Sequence, residues 1–272
     1  MSPVLVPEPE FRGVEADLDL GDVRLPYWDT RVDGPAVALL HPHTCGGTVW
    51  PYQHAGFAAH GYRTVSYTRR GHTSSGPGCA DGVPPGSDDL EALRAELGID
   101  RVHLLGAAAG GAYALDYALR FPDRVLSLVL ASSLAGIREP GFVAATRALL
   151  PDGWSALPVE FRELGPAYRA SDPMGARRYA ELASVRGATG QSTPLTGGFA
   201  ALAAVSVPTL LITGGADLYL PPPRLRELAR HLPDPEVVVL PEAGHAGFWE
   251  CPEAFNAAVL DFFDRHEGGS GA

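Results

Sequence analysis

The segment Val102-His-Leu-Leu-Gly-Ala-Ala-Ala-Gly-Gly-Ala-Tyr113 decides the fold of this 272-residue chain. Its first four residues form a largely apolar run of strand length, and small residues follow at once. Gly106 and Gly110 stand two residues on either side of Ala108, which predicts a sharp turn where backbones approach closely. A helix is expected to follow the turn. Strand, tight turn and helix in immediate succession are typical of an α/β protein.

Glycine-rich turns between a strand and a helix also occur in nucleotide-binding folds. The glycine spacing around Ala108 matches neither the dinucleotide pattern G-x-G-x-x-G nor the P-loop pattern G-x-x-x-x-G-K-[ST]. The segment therefore implies no nucleotide cofactor, and nothing elsewhere in the sequence implies a cofactor or a metal ion.

The same alternation of short apolar runs and helical patterns continues on both sides of this segment. Because parallel strands joined by helices are covered on both faces, we predict an α/β fold with an about eight-stranded, mostly parallel sheet and helices on both faces. A helix is expected from Ser87, acting as its N-cap, to about Gly98, and another at residues 252–265. Strands are expected in a hairpin at residues 15–20 and 23–28, and then at 36–40, 63–67, 102–105, 125–130, 209–213 and 236–240.

The strand rhythm stops between residues 135 and 204. This stretch has helical or loop-like patterns, and strands resume only at about residue 209, so we predict a helical lid inserted into one continuous core domain. The core is then formed by residues 1–134 and 205–267, and residues 268–272 are expected to be a disordered tail.

Charge and cysteine usage exclude several classes of protein. The net charge of −11 and the absence of clustered Lys and Arg argue against nucleic-acid and anionic-membrane partners. The three cysteines are widely and irregularly spaced, which fits neither a metal motif nor a disulfide framework. The first ten residues have no basic start and no long apolar stretch, and no apolar run is long enough to span a membrane, so a cytoplasmic location is expected.

Two downstream loops carry residues that could do chemistry. Leu210-Leu-Ile-Thr-Gly-Gly-Ala-Asp217 places an acid just after a predicted strand, and Pro241-Glu-Ala-Gly-His245 places a histidine after the last one. Each could be an ordinary surface residue taken alone. Together with the turn at Ala108, they occur in the order glycine-flanked turn, acid, histidine.

These three motifs resemble those of the α/β-hydrolases, and the resemblance covers nearly the whole chain. The family has a nucleophile elbow G-x-S-x-G, so the resemblance implies that Ala108 stands at the nucleophile position and that Asp217 and His245 complete the catalytic group. It also implies that the backbone N–H groups of His43 and Ala109 stabilise a developing oxyanion. Pro42 replaces the usual glycine of that oxyanion loop, and the arginine-rich turn at residues 67–72 is expected to be structural.

The alanine at position 108 leaves three explanations open. A methyl group cannot attack a carbonyl, so the chain could be a serine hydrolase inactivated at its nucleophile. It could instead be a non-covalent enzyme, a lyase, cyclase or hydrolase, that uses the His245–Asp217 dyad as a general base. It could also be a small-molecule receptor on a hydrolase scaffold. Cys45 is a poor replacement nucleophile, because it lies on the oxyanion loop and not at the elbow.

We expect the predicted lid to determine which substrates the pocket accepts. As a hydrolase, the chain is expected to act on an ester, lactone, amide or similar activated carbonyl of a hydrophobic small molecule. The lid residues Trp154, Phe161 and Tyr168 are predicted to contact this ligand, although they could equally form the core of the lid, as could Tyr179. Haloalkane dehalogenases and most epoxide hydrolases of this fold use an Asp nucleophile, which Ala108 excludes.

Overall fold

A single twisted sheet organises the part of the chain that the computed structural model describes, residues 6–72, 74–75, 83–183, 191 and 198–267. This sheet confirms the predicted α/β fold class. Its spatial strand order is β1-β2-β4-β3-β5-β6-β7-β8; β1 and β2 pair antiparallel, as do β2 and β4, and the other neighbours are parallel. The strands are β1 Val14–Asp19, β2 Arg24–Asp29, β3 Ala36–Leu40, β4 Arg63–Tyr67, β5 Val102–Ala107, β6 Val125–Ala131, β7 Thr209–Gly214 and β8 Glu236–Leu240.

Helices follow most of the parallel strands. They are α1 Pro51–Ala59, α2 Gly86–Glu96, α3 Ala109–Arg120, α4 Pro140–Arg147, α5 Val159–Glu163, α6 Pro166–Ser171, α7 Pro173–Leu182, α8 Phe199–Ala203, α9 Pro222–Ala229, α10 Gly247–Glu250 and α11 Pro252–Asp264. Short 3-10 turns lie at Gly47–Val49, Pro122–Arg124 and Trp154–Ala156. No described helix is long and apolar enough to cross a membrane.

The central strands are buried on both faces, as their continuous apolar sequences predict. In β3 all five residues are buried; Ala38 and Leu40 face one core cluster, and Val37 and Leu39 face the other. This alternation follows from the two-residue period of a strand. Helices α2, α3 and α9 cover the first face, and α1, α10 and α11 cover the second. This packing holds the carboxyl ends of β5, β7 and β8 in place. The loops that carry Ala108, Asp217 and His245 begin at these three strand ends.

One predicted helix start is wrong. Helix α2 begins at Gly86 after Pro85, so Ser87 lies inside the first turn and is not the N-cap. Its hydroxyl donates to Asp116 on α3 and accepts from Arg120. The tertiary contact with α3 therefore takes the hydroxyl that would otherwise cap the helix.

Between β6 and β7 the described residues form helices α4 to α8. This is the stretch predicted as a lid, at residues 135–204; residues 184–190 and 192–197 of it lie outside the described residues, as does the predicted tail at 268–272. Residues 135–183 leave the sheet at the carboxyl end of β6 and return toward the histidine loop, where the Ala246 N–H donates to the Glu163 carbonyl.

Candidate active site

Ala108 occupies a strained turn between β5 and α3. Its φ of 49° and ψ of −116° lie in a region that residues with a side chain rarely adopt. The backbone holds it there, because the Ala108 N–H donates to the Ala131 carbonyl at 2.9 Å. The Ala108 carbonyl in turn accepts from the Gly111 N–H and from the Ser133 hydroxyl. The predicted sharp turn is present, and it presents the residue 108 side chain at the top of the sheet.

The two flanking glycines are required by close backbone contacts. A Cβ on Gly106 would lie 2.6 Å from the Gly110 carbonyl oxygen, and a Cβ on Gly110 would lie 2.0 Å from the Leu40 carbonyl oxygen. Neither contact can be relieved by a side-chain rotation, since the opposing atoms are backbone. The glycine spacing that marked the turn in the sequence therefore has a packing cause.

Asp217 is a buried carboxylate that is fixed in place by the loop after β7. Its oxygens accept from the backbone N–H groups of Tyr219 and Leu220, at 2.8 and 3.1 Å, and from the Thr213 hydroxyl at 3.1 Å. His245 Nδ1 donates to the same carboxylate, with distances of 2.9 and 3.0 Å to its two oxygens. The structure thus brings together the acid and the histidine that the sequence singled out.

The two side chains stabilise each other's charged forms, the imidazolium of His245 and the carboxylate of Asp217. Burial by itself lowers the pKa of His245, but the charge and hydrogen bond of Asp217 outweigh it, and Glu163 and Glu250 add to the effect, so the pKa lies above its usual value. Burial likewise raises the pKa of Asp217, yet His245 and the backbone N–H donors bring it below its usual value. Since Nδ1 is engaged by Asp217, Nε2 is the nitrogen left to act as a base.

Ala108 and His245 line one cavity of about 360 Å³. The Tyr219 ring forms part of the wall and lies 4.6 Å from the His245 ring, centroid to centroid. Most of the surface is apolar, which suits a hydrophobic ligand. The residues that line the cavity are Ala108, Ala109, Ala112, Tyr113, Ser132, Leu134, Gly136, Tyr219 and His245.

The predicted ligand-binding aromatics lie elsewhere. Trp154 packs against the ring of Tyr219, with ring centroids 5.6 Å apart, and is not itself among the described residues that line the cavity. Phe161 is 51% exposed and lies under the Arg169 guanidinium, and Tyr168 lines a different depression, together with Glu250. Neither Phe161 nor Tyr168 is among the described residues that line the cavity at Ala108, and their contact with a ligand stays a prediction.

The predicted oxyanion loop is held by a buried arginine. The Arg69 guanidinium donates to the carbonyls of His41 and Pro42, which gives the arginine-rich turn the structural role expected of it. His43 is exposed, and its carbonyl accepts from His72 Nε2 at 3.1 Å. Ala109 lines the cavity, whereas His43 is not among the cavity-lining residues. The role of the His43 N–H as an oxyanion donor stays a prediction.

Cys45 is buried and has the polar side chains of Thr44, Glu163 and Tyr179 close to its thiol. Burial and the nearby Glu163 carboxylate raise the pKa of its thiol to about 12. Glu163 also accepts hydrogen bonds from the hydroxyls of Thr44 and Tyr179. A thiol with so high a pKa carries almost no thiolate near neutral pH, so Cys45 is unsuited to replace the missing nucleophile.

The sequence analysis did not single out several site residues, among them Ser132, Tyr219 and Glu250. Ser132 and Tyr219 line the cavity, and Glu250 accepts hydrogen bonds from the backbone next to His245. The one signal that could have found Ser132 is its place directly after β6, because carboxyl ends of neighbouring parallel strands meet at one edge of the sheet.

Comparison with known proteins agrees with this geometry. The model of the alpha/beta hydrolase family matches residues 37–258. A 2-hydroxy-6-oxononadienedioate/2-hydroxy-6-oxononatrienedioate hydrolase of Burkholderia vietnamiensis is 28% identical, over 90% of this chain and 92% of its own. A 2-hydroxy-6-oxo-6-phenylhexa-2,4-dienoate hydrolase of Burkholderia cepacia is 28% identical, over 84% of this chain and 87% of its own. A solved thermophilic esterase from Thermogutta terrifontis superposes with a TM-score of 0.77 at 24% identity, covering 93% of this chain and all of that one, and so shares the fold. This chain belongs to the α/β-hydrolase family.

Proposed function

We propose that the site is built to hydrolyse an ester, lactone, amide or similar activated carbonyl of a hydrophobic small molecule. The observation that carries the proposal is the His245–Asp217 dyad, which shares a small apolar cavity with the strained turn at Ala108. Hydrolases and an esterase among the similar proteins support hydrolysis as the reaction class.

Each part of the site has a role in this reaction. His245 Nε2 accepts the proton of the nucleophile, and Asp217 orients the ring and stabilises its charged form. The N–H of Ala109, with that of His43, stabilises the oxyanion of the tetrahedral intermediate. Ala108 stands where the nucleophilic hydroxyl belongs, and loss of such a hydroxyl lowers turnover by roughly 10⁶-fold, or about 8 kcal/mol of barrier. With alanine at position 108, this chain is therefore strongly impaired in acyl transfer at that position.

Restoring the hydroxyl tests the proposal. The Ala108→Ser variant is expected to hydrolyse a 4-nitrophenyl ester of a short fatty acid far faster than the parent, because the base and acid are already in place. The same substitution in a His245→Ala background is the matched control and should give no gain. A folded Ala108→Ser protein with no gain over the parent would refute an acyl hydrolase at this site.

A second candidate is a non-covalent enzyme in which the dyad acts as a general base on water or on a carbon acid. It is favoured by the placement of His245, which keeps its hydrogen bond to Asp217 and its place in the cavity wall although residue 108 has no hydroxyl. Under this proposal the parent chain converts its ligand, and His245→Ala abolishes the conversion. A small-molecule receptor would return the ligand unchanged, and it would lose only modest affinity in the same variant.

A further inference from the structure

Among the described residues that line the cavity, Ser132 alone has an aliphatic hydroxyl. The other polar side chains of this described lining belong to two tyrosines and His245. Ser132 follows directly after β6, and Ala107 of β5 pairs with Ala131 of β6. Neighbouring strands lie about 4.8 Å apart, so Ser132 stands one strand spacing from Ala108.

Ser132 is held in an unusual state. Its φ is 48°, in the left-handed region that favours glycine, and its residue surface is only 6% exposed. Its hydroxyl makes no hydrogen bond within the described residues, whereas the hydroxyl of the next residue, Ser133, donates to the Ala108 carbonyl. Backbone strain of this kind costs stability and concentrates at functional sites.

Ser132 shares its surroundings with the histidine. Ser132 and His245 both line the main cavity, and both also line a second, smaller void. His245 Nδ1 is occupied by Asp217, and Nε2 has no partner within the described residues. Ser132 and His245 thus each carry a polar atom without a hydrogen-bond partner among the described residues, and both residues line the cavity at Ala108, whose own side chain is only a methyl group.

We propose that Ser132 is the nucleophile of this chain, activated by His245 in place of a hydroxyl at position 108. The proposal rests on the proposed function, because it concerns the same hydrolysis. Ser132 Oγ forms a bond to the acyl carbon while its proton passes to His245 Nε2. The bond from that carbon to the leaving group then breaks, and the leaving group takes the proton. Water next attacks the acyl-Ser132 ester, which releases the acid and restores the serine.

The reaction is slower than one at the elbow. Under the proposed function the backbone N–H of Ala109 stabilises an oxyanion beside residue 108, one strand away from Ser132. Losing one oxyanion donor costs on the order of 10²–10³-fold in turnover. We therefore expect acylation of Ser132 to be at least about a hundredfold slower than acylation of Ala108→Ser.

The test uses the full chain and a fluorophosphonate, which forms a stable Oγ–P bond and releases fluoride. Intact mass should show one adduct, and peptide mapping should place it on Ser132. Ser132→Gly removes the hydroxyl and suits a positive φ, and it should abolish the adduct; His245→Ala should do the same. Ser206→Ala, a change at an exposed serine that is not part of the cavity lining, should leave labelling unchanged.

The outcomes separate this inference from the proposed function. The role of Ser132 is overturned if the parent shows no adduct, or if its adduct lies on another residue. This measurement uses the parent protein alone, so it does not depend on whether any variant folds. If Ala108→Ser hydrolyses the ester while the parent stays unlabelled, the proposed function stands and the role of Ser132 falls. If ester turnover in the parent depends on His245 but survives Ser132→Gly, the dyad acts on water without a covalent intermediate.

Discussion

Glu250 accepts a hydrogen bond from the backbone N–H of Gly244, the residue immediately before His245, at 2.9 Å. The same carboxylate accepts from the N–H of Gly165, at the start of α6, at 2.7 Å. Burial raises the pKa of Glu250 to about 7, even though these N–H donors act in the opposite direction. One carboxylate therefore links the helical segment after β6 to the histidine loop, and its charge is sensitive to pH near neutrality.

Stability should depend on pH through Glu250. Because its folded pKa, about 7, lies above the usual 4.5, its contribution is fully present below pH 4.5 and is lost as the pH rises through 7. Glu250→Gln removes this titration, so its free energy of unfolding should fall less than that of the parent between pH 5 and pH 8. Urea denaturation at several pH values measures the difference. Glu253→Gln, an exposed change on α11, serves as the control and should follow the parent curve; parallel curves for Glu250→Gln and parent would contradict the assignment.

Catalysis in Ala108→Ser should rise with pH as His245 loses its proton. The folded pKa of His245 lies above the usual 6.5, so the midpoint of kcat/KM should also lie above 6.5, since only the neutral ring accepts a proton. Asp217→Asn removes the largest effect that raises this pKa. In the Ala108→Ser background it should lower both the midpoint and kcat, the latter by roughly 10⁴-fold. A midpoint unmoved by Asp217→Asn would mean that another group controls the profile.

The parts of the site that the sequence predicted are those fixed by local backbone. Ala108, Asp217 and His245 each follow a strand end, and glycines or tight turns mark all three positions, so their convergence follows from parallel strands alone. The ligand-facing side chains depend instead on how separate helices pack. The sequence predicts Phe161 and Tyr168 as ligand contacts, yet neither is among the described residues that line the cavity. No local pattern in the sequence encodes how α5 and α6 pack relative to the cavity.

Substrate affinity should respond to Trp154 and not to Phe161. Trp154 supports the Tyr219 ring, which forms the cavity wall beside His245. An aromatic pair of this kind contributes roughly 0.5–1.5 kcal/mol, and its loss weakens ligand affinity only through a shift of the Tyr219 wall, by up to about tenfold. Trp154→Ala in the Ala108→Ser background should therefore raise KM several-fold, with a smaller change in kcat.

Phe161→Ala is the matched control for that measurement. Its ring is 51% exposed and contacts Arg169, so both KM and thermal stability should stay close to the parent values. A larger effect on KM from Phe161→Ala than from Trp154→Ala would show that the segment after β6 closes over the ligand in another arrangement.

The last prediction concerns the strain at Ala108. A φ of 49° with a ψ of −116° is the mirror image of ordinary extended backbone, which glycine adopts freely and other residues adopt at a cost of about 1–3 kcal/mol. Ala108→Gly should thus be at least as stable as the parent, because relief of strain offsets the greater entropy of the unfolded chain. Ala108→Val should lose roughly 2 kcal/mol or more, since a β-branched side chain tolerates a positive φ poorly. Urea denaturation at fixed pH compares the three proteins, and equal stability for Gly and Val would mean that the turn is unstrained in solution.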